Sequence, residues 1–273
     1  MNTRPWVSDP AAIMERQREA WASGNYSKQS AHFVVISELL CEAVDLRSGL
    51  RVLDVATGNG NTALAAARRF CDVTGIDHKP AALEDGRERA SAEGFRINFR
   101  EGEAENLPFP NASFDFVLST IGAMFVPNQE KVASEMLRVC RPSGKIGMAN
   151  WTPNSFVGEL SRIIGKYACS SSGPRSAFLW GTEELLSELF GDGVASLEVL
   201  QRSFVFRYPS PELYVEYTRT YYRPLVKALE ALDASGRKAL VYDVEDLVCR
   251  FNRSGDETMA VPVDYLEVVA IKR

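Results

Sequence analysis

From Val52 the chain reads as a short buried strand, a glycine turn and an alanine-rich helix, in the run Val52-Leu53-Asp54-Val55-Ala56-Thr57-Gly58-Asn59-Gly60-Asn61-Thr62-Ala63. Glycines at a strand-to-helix turn let a ligand approach the backbone, and the helix that follows offers unpaired N–H groups at its start. This run opens a series. Strands are expected at Val52–Ala56, Val73–Ile76, Ile97–Arg100, Phe114–Ser119 and Lys145–Trp151. Helices are expected between them at Ala63–Phe70, Pro80–Glu93 and Gln129–Cys140. Strands alternating with helices demand a parallel sheet covered on both faces, and right-handed crossovers make it doubly wound.

The flanks follow another pattern. Asp9-Pro10 has the form of a helix start, and an apolar stripe of Phe33, Ile36, Leu39, Leu40 and Ala43 marks a helix from about Ser27 to Val44. After Trp151 come a helical stretch over residues 154–168, a loop at Ser170-Ser171-Ser172-Gly173-Pro174 and a helix capped by Thr182. A sixth strand is read at Leu197–Phe206, a mostly helical segment at Pro211–Arg250 and a last strand at Val263–Ile271. The expected fold is therefore α/β: a doubly wound, mostly parallel, seven-stranded sheet with N-terminal helices and a helical insertion at about 210–255 forming a lid. The whole chain is read as one domain. Residues 1–48 form a helical cover, 49–152 the binding core and 153–273 a C-terminal half that carries the lid.

Composition narrows the function classes. No apolar run approaches the ~20 residues needed to span a bilayer. The first ten residues show no basic-then-apolar secretory pattern, which points to a cytoplasmic protein. A net charge of −5 argues against nucleic acid as partner. Five scattered cysteines without a CxxC pair, and two histidines, argue against a metal site. Monomer and homo-oligomer both stay open.

In open α/β sheets ligands sit beyond the carboxyl ends of the strands, which draws attention to Asp54, Asp77, Glu103 and Ser119. Gly58-Asn59-Gly60-Asn61-Thr62-Ala63 matches the G-x-G-x-x-G/A pattern, and Asp77 stands where an acidic residue would hold a ribose. Asp54 separates the cofactor classes. A carboxylate inside an apolar strand is costly unless paired, and beside a pyrophosphate it would repel the ligand. Opposite a cation it makes sense, and S-adenosyl-L-methionine carries an ammonium and a sulfonium and no phosphate.

With these residues in place, the chain resembles the class I S-adenosylmethionine-dependent methyltransferases, nearest to their ubiquinone/menaquinone-biosynthesis-like, small-molecule branch. Val52 to Ala67 is similar to the motif VLDxxxGxGxxxxxxA, and Gly75-Ile76-Asp77 to the acidic second-strand end. Glu101-Gly102-Glu103-Ala104-Glu105-Asn106-Leu107-Pro108-Phe109 resembles the adenine loop, with Glu103 where the family usually has Asp. Phe114-Asp115 to Gly122 and Leu137-Arg138-Val139-Cys140-Arg141-Pro142-Ser143-Gly144 resemble the fourth strand and the turn before the fifth, with Ser143 in place of a usual Gly. The likeness covers about residues 25–155.

The resemblance implies a Rossmann-like sheet, S-adenosyl-L-methionine as donor and S-adenosyl-L-homocysteine as product. It implies a methionine-end turn from Ala56, Gly58 and Gly60, ordered by Asp54, with Asp77 on the ribose hydroxyls. His78, Glu103 and Ala104 would meet the adenine, Ser119 to Gly122 the methionine side, and Tyr26 would close over the cofactor. The reaction would be in-line methyl transfer to a small molecule: a natural product, quinone or lipid-like acceptor. Met124, Phe125, Tyr221 and Tyr222 are the candidates for holding that acceptor, and His32 is the one candidate base. For the histidines and the tyrosines of residues 214–222, core packing is the competing reading. Two other functions compete: an NAD-binding oxidoreductase, and a cofactor-binding relative without catalysis.

Overall fold

A computed structural model describes residues 31–167 and 175–273. The helix start at Asp9-Pro10, Tyr26 and the loop at Ser170–Pro174 lie outside the described residues. The described strands form one seven-stranded sheet in the order β3-β2-β1-β4-β5-β7-β6. The strands are β1 (Arg51–Val55), β2 (Asp72–Asp77), β3 (Asn98–Glu101), β4 (Phe114–Thr120), β5 (Cys140–Trp151), β6 (Val194–Tyr208) and β7 (Met259–Lys272). The first five pair in parallel. β7 inserts antiparallel between β5 and β6.

The reason for the parallel core is visible in burial. Val52 to Val55 and Phe114 to Ser119 are buried throughout, as strands covered by helices on both faces must be. The α-helices of the described residues are α1 (Val34–Ala43), α2 (Asn61–Arg68), α3 (Pro80–Ala92), α4 (Gln129–Val139), α5 (Phe156–Tyr167), α6 (Glu183–Phe190), α7 (Pro211–Tyr221), α8 (Arg223–Ala231) and α9 (Ala234–Phe251). One face of the sheet packs on α1 and α2 through Leu40, Val44, Leu64, Val52 and Leu118. The other holds the larger core, with Leu53, Val117, Ile146, Met136, Trp180 and Leu247.

Within the described residues a 3-10 turn, Ala31–Phe33, precedes α1. Two features differ from the sequence expectation. The sixth and last strands run longer than their apolar alternation, because the antiparallel ladder between them continues from Val194 to Tyr208. The 211–251 segment is three helices. Pro224 starts α8 and the Asp233 side chain caps α9 by accepting from Gly236 N, so each break has a local cause.

Candidate active site

The carboxyl ends of β1, β2 and β4 converge on one cavity. Ala56, Gly58, Asp77, His78, Glu103 and Ala104 line it together with Ile121, Gly122 and Phe125. Two of these residues hold backbone that L side chains rarely adopt: Ala56 has φ 54° and Ile121 has φ 54°. For β-branched Ile121 that is a genuine outlier, and strain of this sort concentrates at ligand sites. Gly122 must be glycine for another reason. A Cβ there would fall 2.7 Å from the Ala56 carbonyl oxygen.

Asp77 is organised by the turns on either side of it. Its Oδ2 accepts from Gly58 N at 2.9 Å and its Oδ1 from Lys79 N at 3.0 Å. Each oxygen keeps a further lone pair, the geometry a vicinal diol needs. His78 sits beside it, Nδ1 3.4 Å from Oδ1. The His78 Nε2 is buried without a hydrogen-bond partner. Glu105 also lines the cavity, and its carboxylate accepts from Asn128 N at the start of α4. Among the described lining residues Lys79 is the one lysine or arginine. This donor set suits a hydroxyl-rich nucleoside bearing positive charge and disfavours a diphosphate.

A smaller recess continues past Ala56 and is lined by Asp54, Thr57, Asn59, Asn61, Thr62, Thr120, Ser37 and Phe33. Asp54 is buried there. Its Oδ2 accepts from Thr57 Oγ1 at 2.5 Å and from Ala63 N, in the first turn of α2, at 3.0 Å. Burial pushes its carboxyl up to about 7; the two hydrogen bonds pull against that, and the Asp77 charge adds to it. Hydroxyls form a chain behind it: Ser37 Oγ to Thr62 Oγ1 at 3.1 Å, and Thr62 to Thr120 at 2.8 Å. These hydroxyl residues escaped the sequence reading. Small hydroxyl side chains carry no periodic signal, and three different elements bring them together.

A second cavity adjoins the first and shares Ile121 and Phe125 with it. Its other walls come from the chain's flanks: His32 and Phe33, Trp151 on β5, Val157 and Leu160 on α5, Phe206 and Tyr208 on β6, and Tyr214, Tyr217, Thr218 and Tyr222 from α7 and its end. Of the four residues expected to hold an acceptor, Phe125 and Tyr222 line this cavity. Met124 is fully buried in the core, and Tyr221 packs against Tyr217 with ring centroids 4.8 Å apart and the planes tilted by 51°.

Two more expected residues lie behind the walls. Gly60 (φ 84°) caps α2, where a Cβ would meet Phe99 at 2.8 Å. Ser119 is buried, donating to the Val55 carbonyl and accepting from Ala123 N, so it ties β1 to the turn that carries Ile121 and Phe125.

The loop under the first cavity is clamped by a pair absent from the sequence reading. Buried Glu135 accepts from Leu107 N at 2.7 Å and from Arg138. Arg138 in turn donates to the Leu107 and Phe109 carbonyls. Glu135→Ala is expected to cost about 1–3 kcal/mol of stability, because it strands the buried Leu107 N–H and takes the charged partner from Arg138. Chemical denaturation measures that loss.

A methyltransferase-domain family model matches residues 52–144. An uncharacterized protein of Mycobacterium tuberculosis strain H37Rv is 36% identical over 242 residues, which cover 88% of each chain. Demethylmenaquinone methyltransferase of Deinococcus radiodurans is 32% identical over 146 residues, 50% of this chain and 61% of that one. Among solved structures, the YcgJ protein of Bacillus subtilis superposes with a TM-score of 0.60 at 21% identity, covering 87% of this chain and 98% of the other.

Proposed function

Since this chain belongs to the class I S-adenosylmethionine-dependent methyltransferases, we propose that it methylates a small, uncharged, mostly apolar molecule held in the second cavity. The observation that carries this reading is the common wall: Ile121 and Phe125 face both cavities. A ligand in the first and a molecule in the second are then neighbours, as methyl transfer requires. The second cavity has no Asp, Glu, Lys or Arg among its described lining residues. Burying a charge there would be unfavourable. A relative named for demethylmenaquinone, a quinone, is in keeping with such an acceptor.

S-adenosylmethionine supplies an activated methyl group on a sulfonium. The chain's residues supply position. Asp77 accepts from the ribose hydroxyls with the lone pairs that Gly58 and Lys79 leave open. Asp54 holds the methionine ammonium, directly or through water. Glu103 and the Ala104 backbone meet the adenine, with His78 beside it. The aromatic walls exclude water and fix the acceptor, so alignment is the main contribution. An NAD-dependent oxidoreductase is not favoured, because the Asp54 carboxylate would stand against its diphosphate.

Calorimetry is expected to show binding of S-adenosylhomocysteine and none of NAD(H). With labelled methyl donor, neutral ring compounds are expected to be methylated and short-chain carboxylates or amines not. Tyr222→Ala is expected to raise the acceptor KM about tenfold, for a lost buried ring, with cofactor affinity unchanged. Transfer confined to charged acceptors would refute the assignment of the second cavity.

A further inference from the structure

We propose that His32 is the proton acceptor for a hydroxyl on the ring of the acceptor, a phenol or enol, so that the methyl goes to oxygen. This rests on the reading of the second cavity as the acceptor site. His32 lines that cavity and directly precedes Phe33, which lines both it and the Asp54 recess. The imidazole thus faces the second cavity, next in the chain to a residue that borders the Asp54 recess as well.

Its surroundings leave it able to take a proton. Among the described residues, two titratable groups face the ring. Tyr208 on β6 has its hydroxyl 3.4 Å from Nε2 and its ring centroid 5.6 Å away. Tyr217 on α7 stands edge-on at 6.1 Å. Burial raises both phenols, so they stay neutral and bring no charge to the imidazole. Partial desolvation holds His32 below its ordinary value, which favours the unprotonated imidazole at neutral pH, and the residue keeps contact with solvent.

The lining disfavours charged acceptors. An ammonium finds no carboxylate there and a carboxylate finds no cation. A hydroxyl finds a neutral imidazole. Tyr222 lines the same cavity. In the transfer, an oxygen lone pair forms the new C–O bond while the C–S bond breaks with its electron pair left on sulfur. The hydroxyl proton passes to the imidazole, and the imidazolium releases it to solvent, to which His32 is exposed.

The test uses the full chain saturated with S-adenosylhomocysteine and three probes of one shape: 2-naphthol, 2-methoxynaphthalene and 2-naphthoate. Fluorescence titration is expected to show naphthol binding about tenfold more tightly than the ether, the worth of one hydrogen bond, and naphthoate weakest. His32→Ala is expected to abolish the naphthol preference while leaving ether binding unchanged. His32→Gln, which accepts a hydrogen bond and takes no proton, is expected to keep the preference. With labelled methyl donor it is expected to lose naphthol methylation about 100-fold, in the range for a removed general base. Equal binding of naphthol and ether, a preference that survives His32→Ala, or undiminished transfer in His32→Gln overturns the role of His32 alone. Failure of both naphthol and ether to bind overturns the acceptor-site reading with it.

Discussion

Asp77→Ala is expected to weaken S-adenosylhomocysteine binding by about 100-fold or more, measured by calorimetry at fixed pH and salt. Two charge-assisted hydrogen bonds to the ribose are lost together, each worth about 1.5–3 kcal/mol. The turn suffers as well, because the carboxylate braces Gly58 N and Lys79 N in the protein itself. Asp77→Asn retains one acceptor oxygen and should fall between, at about tenfold. An analogue lacking the ribose 2′-hydroxyl separates the two contributions. Wild-type protein is expected to bind it weakly, whereas Asp77→Ala should barely distinguish it from the parent. Wild-type affinity in Asp77→Ala would remove the ribose contact from the site.

Asp54→Asn should have opposite effects on stability and on binding. In the folded chain burial raises this carboxyl from 3.8 to about 7. Between those values the folded protein holds a proton that the unfolded chain has released. Its contribution to stability is therefore full below about pH 4 and is lost as pH rises through about 7. The amide never ionises. The ligand-free variant is thus expected to gain stability over wild type as pH rises, by about 1–3 kcal/mol at pH 8, seen as a higher Tm. Cofactor affinity should move the other way. The ammonium needs the ionised carboxylate, so wild-type affinity should rise from pH 6 to pH 8. Asp54→Asn should lose that slope and bind at least about tenfold more weakly at pH 8. A variant that gains no stability at pH 8 would mean that the buried carboxylate is better compensated than its two donors on Oδ2 suggest.

Both carboxylates were legible in the sequence because each breaks an apolar strand at its carboxyl end. An acidic residue there is conspicuous against Val52, Leu53 and Val55, or against Gly75 and Ile76. The parallel core was legible for a related reason: strands covered on both faces carry runs of apolar residues that need no long-range information to notice. Ser119 shows where that logic stops. Its place at a strand end suggested a ligand contact, but its hydroxyl is occupied by the Val55 carbonyl and the Ala123 N–H. Position along a strand tells which end a residue occupies and says nothing of whether a neighbouring strand takes its hydrogen bonds. The Glu135–Arg138 clamp was hidden for the converse reason. Charges three apart on a helix look like an exposed pair, and burial of Glu135 under Leu107 arises only when the loop folds over it.

Local pattern, then, is enough to specify a doubly wound sheet and a cofactor turn with carboxylates at its strand ends, since burial on both faces and the chemistry of a turn are written within a few consecutive residues. The antiparallel insertion of β7 between β5 and β6 is not written that way, nor is the aromatic cavity. That cavity joins His32 and Phe33 to Ile121, Trp151, Phe206 and Tyr222. Taken singly, each of these residues is explained by packing alone. They form one chamber because distant segments bury their apolar faces against the same end of the sheet, and free energy gained by long-range burial leaves no mark on the spacing of neighbours in the chain.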